Sequence, residues 1–289
     1  MTIIQPVIRP PSEARSFLLQ VTTSCSVNSC TFCGAYKNKV FNVKPFSEIK
    51  EDIEIGAQVN PNTRKVFLMD GDALVLPNKK LVPILKIINQ NFKKLTRISS
   101  YANGDQIANR NDSELKELRD NKLSLIYIGL ESGCQQILNL CKKRASAEEM
   151  IQAVQQASKY GIKSSAIVLL GLGGKELSDK HVSKTIIAIN KMQPRYLSFL
   201  SLMLIPGTEK YQEMMNKQFA ELNPIELLAE SYQILNGLNL EKTIFRSNHA
   251  SNYLALEGRL PQDKEKLLNQ VKSAMAGETS IKPEFLRGL

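Results

Sequence analysis

Three cysteines lie within nine residues, at Cys25, Cys30 and Cys33. Thiolates this close in sequence can converge on one metal centre. A structural zinc ion takes four protein ligands, and the nearby sequence supplies no fourth. On a [4Fe-4S] cluster, three thiolates would leave one iron open to a small molecule, whereas an electron-transfer ferredoxin normally supplies four cysteines. We therefore favour a cluster with an open iron over zinc. We also favour it over three unligated thiols, because buried free thiols prefer more apolar neighbours than the Ser, Asn and Thr found here.

The segment from Cys25 to Tyr36 resembles the cluster loop of the radical S-adenosylmethionine (SAM) superfamily. In that family three cysteines bind a [4Fe-4S] cluster, and SAM chelates the remaining iron through its amino and carboxylate groups. This chain has four residues between the first two cysteines where the family usually has three, while Phe32 before the third cysteine matches the family. The resemblance implies that Cys25, Cys30 and Cys33 bind a [4Fe-4S] cluster and that SAM is the second cofactor.

Later segments resemble parts of the SAM site in the coproporphyrinogen-dehydrogenase-like and methylthiotransferase-like branch of that family. Asp70, Gly71 and Asp72 follow the second predicted strand, as does the family's glycine-rich segment that holds the SAM amino group. Glu131 follows the fourth strand, where relatives place a Glu against SAM. The cofactor-binding residues that the resemblance implies are Phe32, Asp70, Gly71, Asp72, Ser100, Asn103, Glu131, Arg144, Val168 and Leu204.

Each of these segments also has an interpretation without SAM. Residues 70–72 could form an ordinary acidic turn, and Glu131 could cap the following helix. Lys143 and Arg144 stand where relatives often carry a basic residue for the SAM carboxylate, but they could belong to a solvated surface. The glycines in 171–174 could bind phosphate, although no Lys-Ser or Lys-Thr pair follows them. We favour the SAM site because five matches occur in the family's order.

The chain alternates apolar runs with amphipathic segments, which predicts strands alternating with helices. The predicted strands are 17–21, 66–69, 97–101, 124–129, 164–170 and 196–204. The predicted helices are 47–59, 81–91, 113–121, 147–160, 179–192, 224–236 and 263–275. Several strands are apolar on both faces, as parallel strands covered by helices are. Six such units predict an α/β fold, a partial (βα)6 barrel with parallel strands and its site at the carboxyl ends of the strands.

The stretch 243–254 is crowded with polar side chains and lacks a helical pattern. We predict that residues 1–240 form the partial barrel and that residues 241–289 form a C-terminal extension, a lid segment covering the barrel mouth. A turn over 258–261 would lead into the last helix. A surface loop that satisfies its own backbone is the alternative. The substrate-contact candidates are Arg246, Asn248, His249, Asn252 and Tyr253.

The chain has 289 residues, a net charge of +10 and five cysteines. No apolar run approaches the roughly 20 residues of a membrane span, the start lacks a secretory pattern, and the cysteines are too few for a disulfide framework. We therefore expect a soluble, cytoplasmic protein with no membrane partner. The charge would suit an RNA, an acidic substrate or an acidic redox partner. Nucleic acid is the less favoured partner, because the basic residues are spread thinly and are not interleaved with aromatic ones.

The resemblance implies an enzyme, an oxidoreductase, lyase or transferase, that reductively cleaves SAM at the cluster. The product would be a 5′-deoxyadenosyl radical that abstracts hydrogen from a small-molecule substrate, and a low-potential donor such as a ferredoxin or flavodoxin would supply the electron. Radical SAM modification of tRNA or protein is the alternative within enzymes. An iron–sulfur electron carrier or a metallochaperone is the alternative that is not an enzyme. Cys134 and Cys141 lack the further ligands that a second cluster needs.

Overall fold

The computed structural model describes residues 3–5 and 7–288. The strands are β1 (Phe17–Gln20), β2 (Thr22–Thr23), β3 (Asn42–Val43), β4 (Lys65–Met69), β5 (Arg97–Ala102), β6 (Leu123–Glu131), β7 (Lys163–Leu170), β8 (Tyr196–Ser201), β9 (Thr243–Ser247) and β10 (Leu256–Leu260). The helices are α1 (Phe46–Val59), α2 (Asn78–Asn91), α3 (Gly104–Ala108), α4 (Asp112–Asp120), α5 (Gln135–Leu140), α6 (Ala147–Lys159), α7 (Gly174–Met192), α8 (Glu209–Met215), α9 (Pro224–Gly237) and α10 (Lys264–Met275).

The central sheet has the strand order β1-β4-β5-β6-β7-β8-β9-β10. Neighbouring strands are parallel from β1 to β9, and only the last pair, β9 and β10, is antiparallel. The six predicted strands are all present, which confirms the α/β partial barrel, although the sixth ends at Ser201 rather than at residue 204. Because carboxyl ends of parallel strands lie at one edge of a sheet, the loops that follow them meet there.

Two apolar layers follow from the alternation of side chains along each strand. Leu68 and Ile126 point toward the helices and lie in the main core. Phe67 and Met69 point to the opposite face, the barrel interior, and form a second cluster with Leu125 and Tyr127. None of the helices in the described part of the chain is long and apolar enough to cross a membrane.

The N-terminal segment runs through the barrel interior. Ile3 and Val7 pack against the interior cluster. Glu13, which is 0% exposed, accepts hydrogen bonds from Arg97 Nη2 at 2.6 Å and from Tyr127 OH at 2.6 Å. Arg97 is the first residue of β5, so Glu13 lies toward the amino ends of the strands. The chain's own residues therefore fill the interior beneath the carboxyl edge.

Residues 243–260 extend the sheet. β9 lies parallel to β8, and β10 folds back on β9. The prediction of a turn beginning at Gly258 is wrong, because Gly258 pairs with Phe245 inside β10. The connection 248–255 leaves the carboxyl end of β9 and so lies at the same edge as the loops after the other parallel strands.

Candidate cofactor site

The cluster loop, residues 25–33, is held by backbone hydrogen bonds to two distant parts of the chain. The Thr31 N–H donates to the Cys141 carbonyl at 3.0 Å, and the Thr31 carbonyl accepts from the Lys210 N–H at 3.0 Å. The loop is thereby fixed between the end of α5 and the start of α8, a short helix that the hydrophobic pattern did not predict.

The thiols of Cys25, Cys30 and Cys33 are partly buried and interact with one another. Burial raises the pKa of all three thiols, and the neighbouring Cys30 raises the pKa of Cys25 further, as Cys25 does for Cys33. Lys143 acts in the opposite direction, because its ammonium lowers the pKa of each thiol. Three thiols that would repel one another as thiolates form a donor set that a bound metal cluster stabilises.

The remaining metal-binding side chains do not turn this loop into a zinc site. Within residues 3–5 and 7–288, no group of three His, Cys, Asp or Glu side chains is close enough together to hold a single metal ion. The histidines lie elsewhere, with His181 Nδ1 2.9 Å from Ser132 Oγ and His249 Nδ1 2.9 Å from Ser251 Oγ. The cysteines of a [4Fe-4S] cluster each bind a different iron. Three cysteines from one loop are the number of ligands that leaves one iron of such a cluster open.

Gly71, in the loop after β4, lies directly against Cys25. A Cβ atom at Gly71 would stand 2.5 Å from Cys25 Cβ and 3.0 Å from the Cys25 sulfur. The Gly71 N–H also donates to the Ser24 carbonyl at 2.9 Å. Only a glycine allows this approach, so the backbone of the loop forms one wall of the space around the thiols.

Asp70 ties the same loop to its surroundings. The residue has φ +66, in the left-handed region. Its Oδ2 accepts hydrogen bonds from Gln20 Nε2 at 2.8 Å, from the Ser24 N–H at 3.1 Å and from Lys39 Nζ at 2.8 Å. These three donors come from β1 and from the segments on both sides of the cysteines, so Asp70 fixes the loop after β4 to the cluster loop.

Asp72 has one carboxylate oxygen bound and one without a partner. Its Oδ2 accepts from Asn103 Nδ2 at 2.9 Å and also from Ser26 Oγ and Gln106 Nε2. Its Oδ1 is buried and, within the described residues, has no hydrogen-bond partner. Burial raises the pKa of Asp72, and its three hydrogen bonds lower it. Because a buried polar atom normally has a partner, the unpaired oxygen is suited to a donor on a bound ligand.

Glu131 and Lys143 form an ion pair beside the cysteines. Glu131 Oε1 lies 3.2 Å from Lys143 Nζ, and a Cβ at Gly129 would stand 2.1 Å from the same oxygen. Burial lowers the pKa of Lys143, whereas Glu131 and the thiols raise it. The net effect is a pKa above the ordinary value of lysine. Arg144 instead pairs with Asp105 at 2.8 Å, with its side chain 41% exposed. The structure thus places Lys143 beside the thiols rather than Arg144, and no sequence signal separates these adjacent basic residues.

An apolar cluster lies next to the cluster loop. Phe32 and Leu204 pack there with Leu169, Cys134 and Cys141. The two cysteines flank α5 as its cap residues and share this cluster. Burial raises the pKa of the Cys141 thiol to about 11, which makes it a neutral apolar neighbour of the loop. The cluster offers a surface suited to an aromatic base.

Two of the residues predicted to bind the cofactor, Ser100 and Val168, have their side chains on the helix-facing side of the sheet. Ser100 pairs in register with Leu68 and Ile126, so it shares their helix-facing side of the sheet. Its hydroxyl donates to the Tyr101 carbonyl at 2.8 Å. Val168 lies in the main core between sheet and helices. The period-two alternation of the strands decides both cases, since neighbouring residues face opposite sides.

The C-terminal substrate-contact candidates differ in how many hydrogen bonds they already make within the protein. Asn252 Nδ2 donates to the Phe199 carbonyl at 2.7 Å and to Ser247 Oγ at 3.0 Å, and its Oδ1 accepts from Ser201 Oγ at 2.9 Å. Asn252 is 4% exposed, so it fastens residues 248–255 to the end of β8 instead of facing an open space.

Tyr253 belongs to a second attachment, made by the C-terminal tail. Arg287 lies over the Tyr253 ring at 4.3 Å from the centroid and donates to the Tyr253 hydroxyl at 2.8 Å, while Glu284 accepts from that hydroxyl. Arg287 also donates to the Leu202 carbonyl at 3.0 Å. Arg246, Asn248 and His249 are at least partly exposed, and Arg246 stands opposite Glu257 of β10.

A cavity of about 680 Å³ opens beside the cluster loop. Its lining includes Gly34, Lys39 and Phe41 from the chain after the third cysteine, and Ile4 and Gln5 from the N-terminal segment. Ile4 is held in place because its N–H donates to Gln20 Oε1 at 2.9 Å. The N-terminal residues thus form one wall of a cavity that is also lined by the segment after the third cysteine, a role that no sequence signal predicted.

The geometry agrees with comparisons to known proteins. Residues 19–187 match the model of the radical SAM superfamily. The chain is 25% identical over 217 residues to a heme chaperone HemW of Bacillus subtilis, covering 71% of this chain and 55% of that protein. It is 26% identical over 128 residues to a tRNA uridine(34) acetyltransferase of Methanocaldococcus infernus, covering 43% of this chain and 24% of that protein. The fold matches coproporphyrinogen III oxidase from Escherichia coli with a TM-score of 0.56 and 14% identity, over 76% of this chain and 52% of that chain.

This protein belongs to the radical SAM superfamily. Members of the family are enzymes that use a [4Fe-4S] cluster and SAM, act on a substrate and need a reductant. The cofactors and the enzyme class inferred from the cysteine loop are thereby confirmed. The chain spans about half the length of the HemW relative and about a quarter of the acetyltransferase.

Proposed function

We propose that this protein reductively cleaves SAM at a cluster bound by Cys25, Cys30 and Cys33, giving a 5′-deoxyadenosyl radical that abstracts hydrogen from a small-molecule substrate. The observation that carries the proposal is the approach of two loops to the thiols. Gly71 lies against Cys25, and the Glu131–Lys143 pair couples electrostatically to Cys30.

The chain's own residues hold and orient the cofactors. The Gly71 backbone and the unpaired Oδ1 of Asp72 suit the SAM ammonium group, and Asn103 keeps the Asp72 carboxylate in place. Lys143 supplies the positive charge that balances the thiolates and suits the SAM carboxylate. Glu131 is placed to accept from ribose hydroxyls.

The apolar surface around Phe32 and Leu204 is assigned to the adenine. It excludes water from one side of the cofactor space, which protects a reactive intermediate from side reactions. The chemistry that the bound cofactors supply is one-electron cleavage of SAM, while the protein supplies binding and orientation.

A small-molecule substrate would lie at the carboxyl edge of the sheet, because Ile3, Val7 and Glu13 of the N-terminal segment occupy the barrel interior. The extension 241–289, with His249 and Arg246 as substrate contacts, covers this edge as a lid. The positions of Asn252 and Tyr253 support a role in holding the lid, because protein groups already engage both side chains.

A low-potential ferredoxin or flavodoxin is the proposed electron donor, and the cytoplasm the proposed location. The net charge of +10 supports an acidic donor. The five cysteines are free thiols, as is usual in a reducing compartment.

Anaerobic reconstitution with iron and sulfide tests the proposal. The wild-type protein is given SAM and dithionite, and 5′-deoxyadenosine is measured by liquid chromatography. Cys30→Ala should abolish its release, while Ser231→Ala, at a buried hydroxyl of α9 outside the site, should retain it. A wild-type protein that carries a reducible cluster but releases no 5′-deoxyadenosine would be an electron carrier, and the proposal would fail.

Modification of tRNA is the second candidate, favoured by the net charge of +10 and by the tRNA-modifying relative. The two candidate functions are distinguished by adding either total tRNA or the small-molecule fraction of a cell extract to the same reaction. Stimulation of 5′-deoxyadenosine release by the small-molecule fraction alone supports the first candidate. Stimulation by tRNA that is lost after ribonuclease treatment supports the second.

A further inference from the structure

A chain of buried polar side chains runs behind the cofactor site, from α9 through α7 to the loop after β6. Glu230 of α9 is 2% exposed, and His181 of α7 and Ser132 after β6 are both 0% exposed. Buried ionisable residues without a cationic partner are uncommon, because removing their charge from water is costly. The cofactor roles assigned above use none of these three residues.

Glu230 binds the loop after β7. Its Oε2 accepts from the Gly171 N–H at 2.7 Å, and its Oε1 accepts from Ser178 Oγ at 2.7 Å. Gly171 has φ +80, and a Cβ there would stand 2.8 Å from Leu227 Cδ2, also on α9. The helix α9 therefore holds the glycine-rich loop 171–174 by a carboxylate as well as by close packing.

His181 carries the connection onward. Its Nε2 stands 3.9 Å from Glu230 Oε2, and its Nδ1 stands 2.9 Å from Ser132 Oγ. Burial lowers the pKa of His181 to about 4, so the ring is neutral at physiological pH. The 3.9 Å separation is too long for a hydrogen bond, and His181 Nε2 has no hydrogen-bond partner among the described residues. The connection from Glu230 to His181 therefore runs through α7, which carries both Ser178 and His181.

Ser132 ends the chain at the second loop. Its Oγ accepts from the Cys134 N–H at 3.1 Å, so it fixes the turn that leads into α5. Ser132 directly follows Glu131, whose φ of +59 places its carboxylate toward Lys143. A shift of Ser132 would therefore move Glu131.

We infer that Glu230, His181 and Ser132 are positioning residues that fix the separation of the loops after β6 and β7, and thereby set the affinity for SAM. The inference rests on the proposed function, in which Glu131 of the loop after β6 contacts the ribose and the apolar cluster that includes Leu172 of the loop after β7 contacts the adenine. Binding energy is lost when the groups that contact a ligand are no longer held in place, even if every contacting group remains.

The test measures SAM binding to the anaerobically reconstituted protein by titration calorimetry, for Glu230→Gln, Ser132→Ala and the double variant. Each single substitution should weaken binding about three- to tenfold, the range that one net hydrogen bond is worth. The double variant should lose little more than the weaker-binding single variant, because both act on one chain. The KM for SAM should rise while kcat for 5′-deoxyadenosine release stays near the wild-type value.

Ser231→Ala is the matched control, since Ser231 is a buried hydroxyl on the same helix with no hydrogen-bond partner among the described residues. It should bind SAM as the wild type does. Hydrogen exchange supplies a readout without SAM, and Glu230→Gln should speed exchange at both Gly171 and Cys134. Unchanged SAM affinity in a folded Glu230→Gln protein would overturn the inference, as would additive losses in the double variant. Absence of SAM binding in the wild type would instead overturn the proposed function.

Discussion

The Lys143 ammonium lies 3.2 Å from the Glu131 carboxylate, in a space that exists because residue 129 is glycine. Both side chains are largely shielded from water, at 11% and 14% exposure, and each is the nearest opposite charge to the other in this part of the site. Removal of one partner from such a pair leaves the other charge uncompensated, which costs more than the pair itself contributes.

Lys143→Met is therefore expected to lower 5′-deoxyadenosine release at least about 100-fold, since losing this charge removes roughly 3 kcal/mol of favourable interaction. The control is Arg144→Met, which replaces an exposed residue paired with Asp105 and should change the rate less than about threefold. If both variants lose 5′-deoxyadenosine release equally at the same cluster content, the assignment of Lys143 rather than Arg144 to the site is wrong.

Gly71→Ala is expected to prevent assembly of the cluster. The added Cβ would stand 2.5 Å from Cys25 Cβ, and both atoms belong to backbone-fixed positions that cannot move apart cheaply. Iron content and the visible absorption of the reconstituted protein should fall to the level of Cys25→Ala. Gly288→Ala, where an added Cβ meets nothing within 4 Å, is the control and should assemble the cluster fully. A normal cluster in Gly71→Ala would contradict the proposed wall around the thiols.

Glu13→Gln is expected to destabilise the fold by about 3 kcal/mol, because Arg97 loses its partner in a buried site. The carboxylate also accepts from Ser99 Oγ at 3.0 Å and from Tyr127 OH at 2.6 Å. Urea unfolding measures the loss, and Arg15→Gln, at an exposed residue two positions away, should have little effect. If the free energy of unfolding is unchanged in Glu13→Gln, the N-terminal segment does not pack in the barrel interior as described.

The stability of the protein should depend on pH through Glu230. Burial raises the pKa of Glu230 from 4.5 to about 7, so the folded state disfavours the charged carboxylate. The stability that the protonated form contributes is complete below pH 4.5 and is lost as pH rises toward 7. The difference amounts to on the order of 3 kcal/mol.

Glu230→Gln removes this titration. The melting temperature of Glu230→Gln minus that of the wild type should therefore increase as the pH is raised from 5 to 8. Ser231→Ala provides the reference at each pH, and a difference that stays constant over this range would refute the assignment. Burial shifts the pKa of His181 in the opposite sense, so its stabilising contribution is present above pH 6.5 and declines as pH falls toward 4.

Much of the fold could be predicted from the sequence because its strands and long helices carry strong local patterns. The run IYIGL is apolar on both faces and became the buried strand β6, and the Ser146–Glu149 capping box begins α6 at Ala147, as the acidic first turn predicted. β9 and β10 were missed because both are short and carry polar residues such as Arg246 and Glu257, so their strand structure depends on pairing with neighbouring strands. The short helix α8 was missed because about two turns leave too few residues for a periodic pattern.

The amino-acid sequence alone indicated an iron–sulfur cluster with an open iron, because three cysteines at close spacing have few other uses, and its resemblance to the radical SAM superfamily implied SAM as the second cofactor. Tertiary structure decided which neighbours serve that chemistry. It placed Lys143 rather than Arg144 beside the thiols, turned Ser100 toward the helices, packed Ile3 against the barrel-interior cluster and brought His181 between Glu230 and Ser132. These relationships join residues far apart in sequence, and their geometry depends on how the sheet curves and on which face each side chain occupies, which no local pattern records.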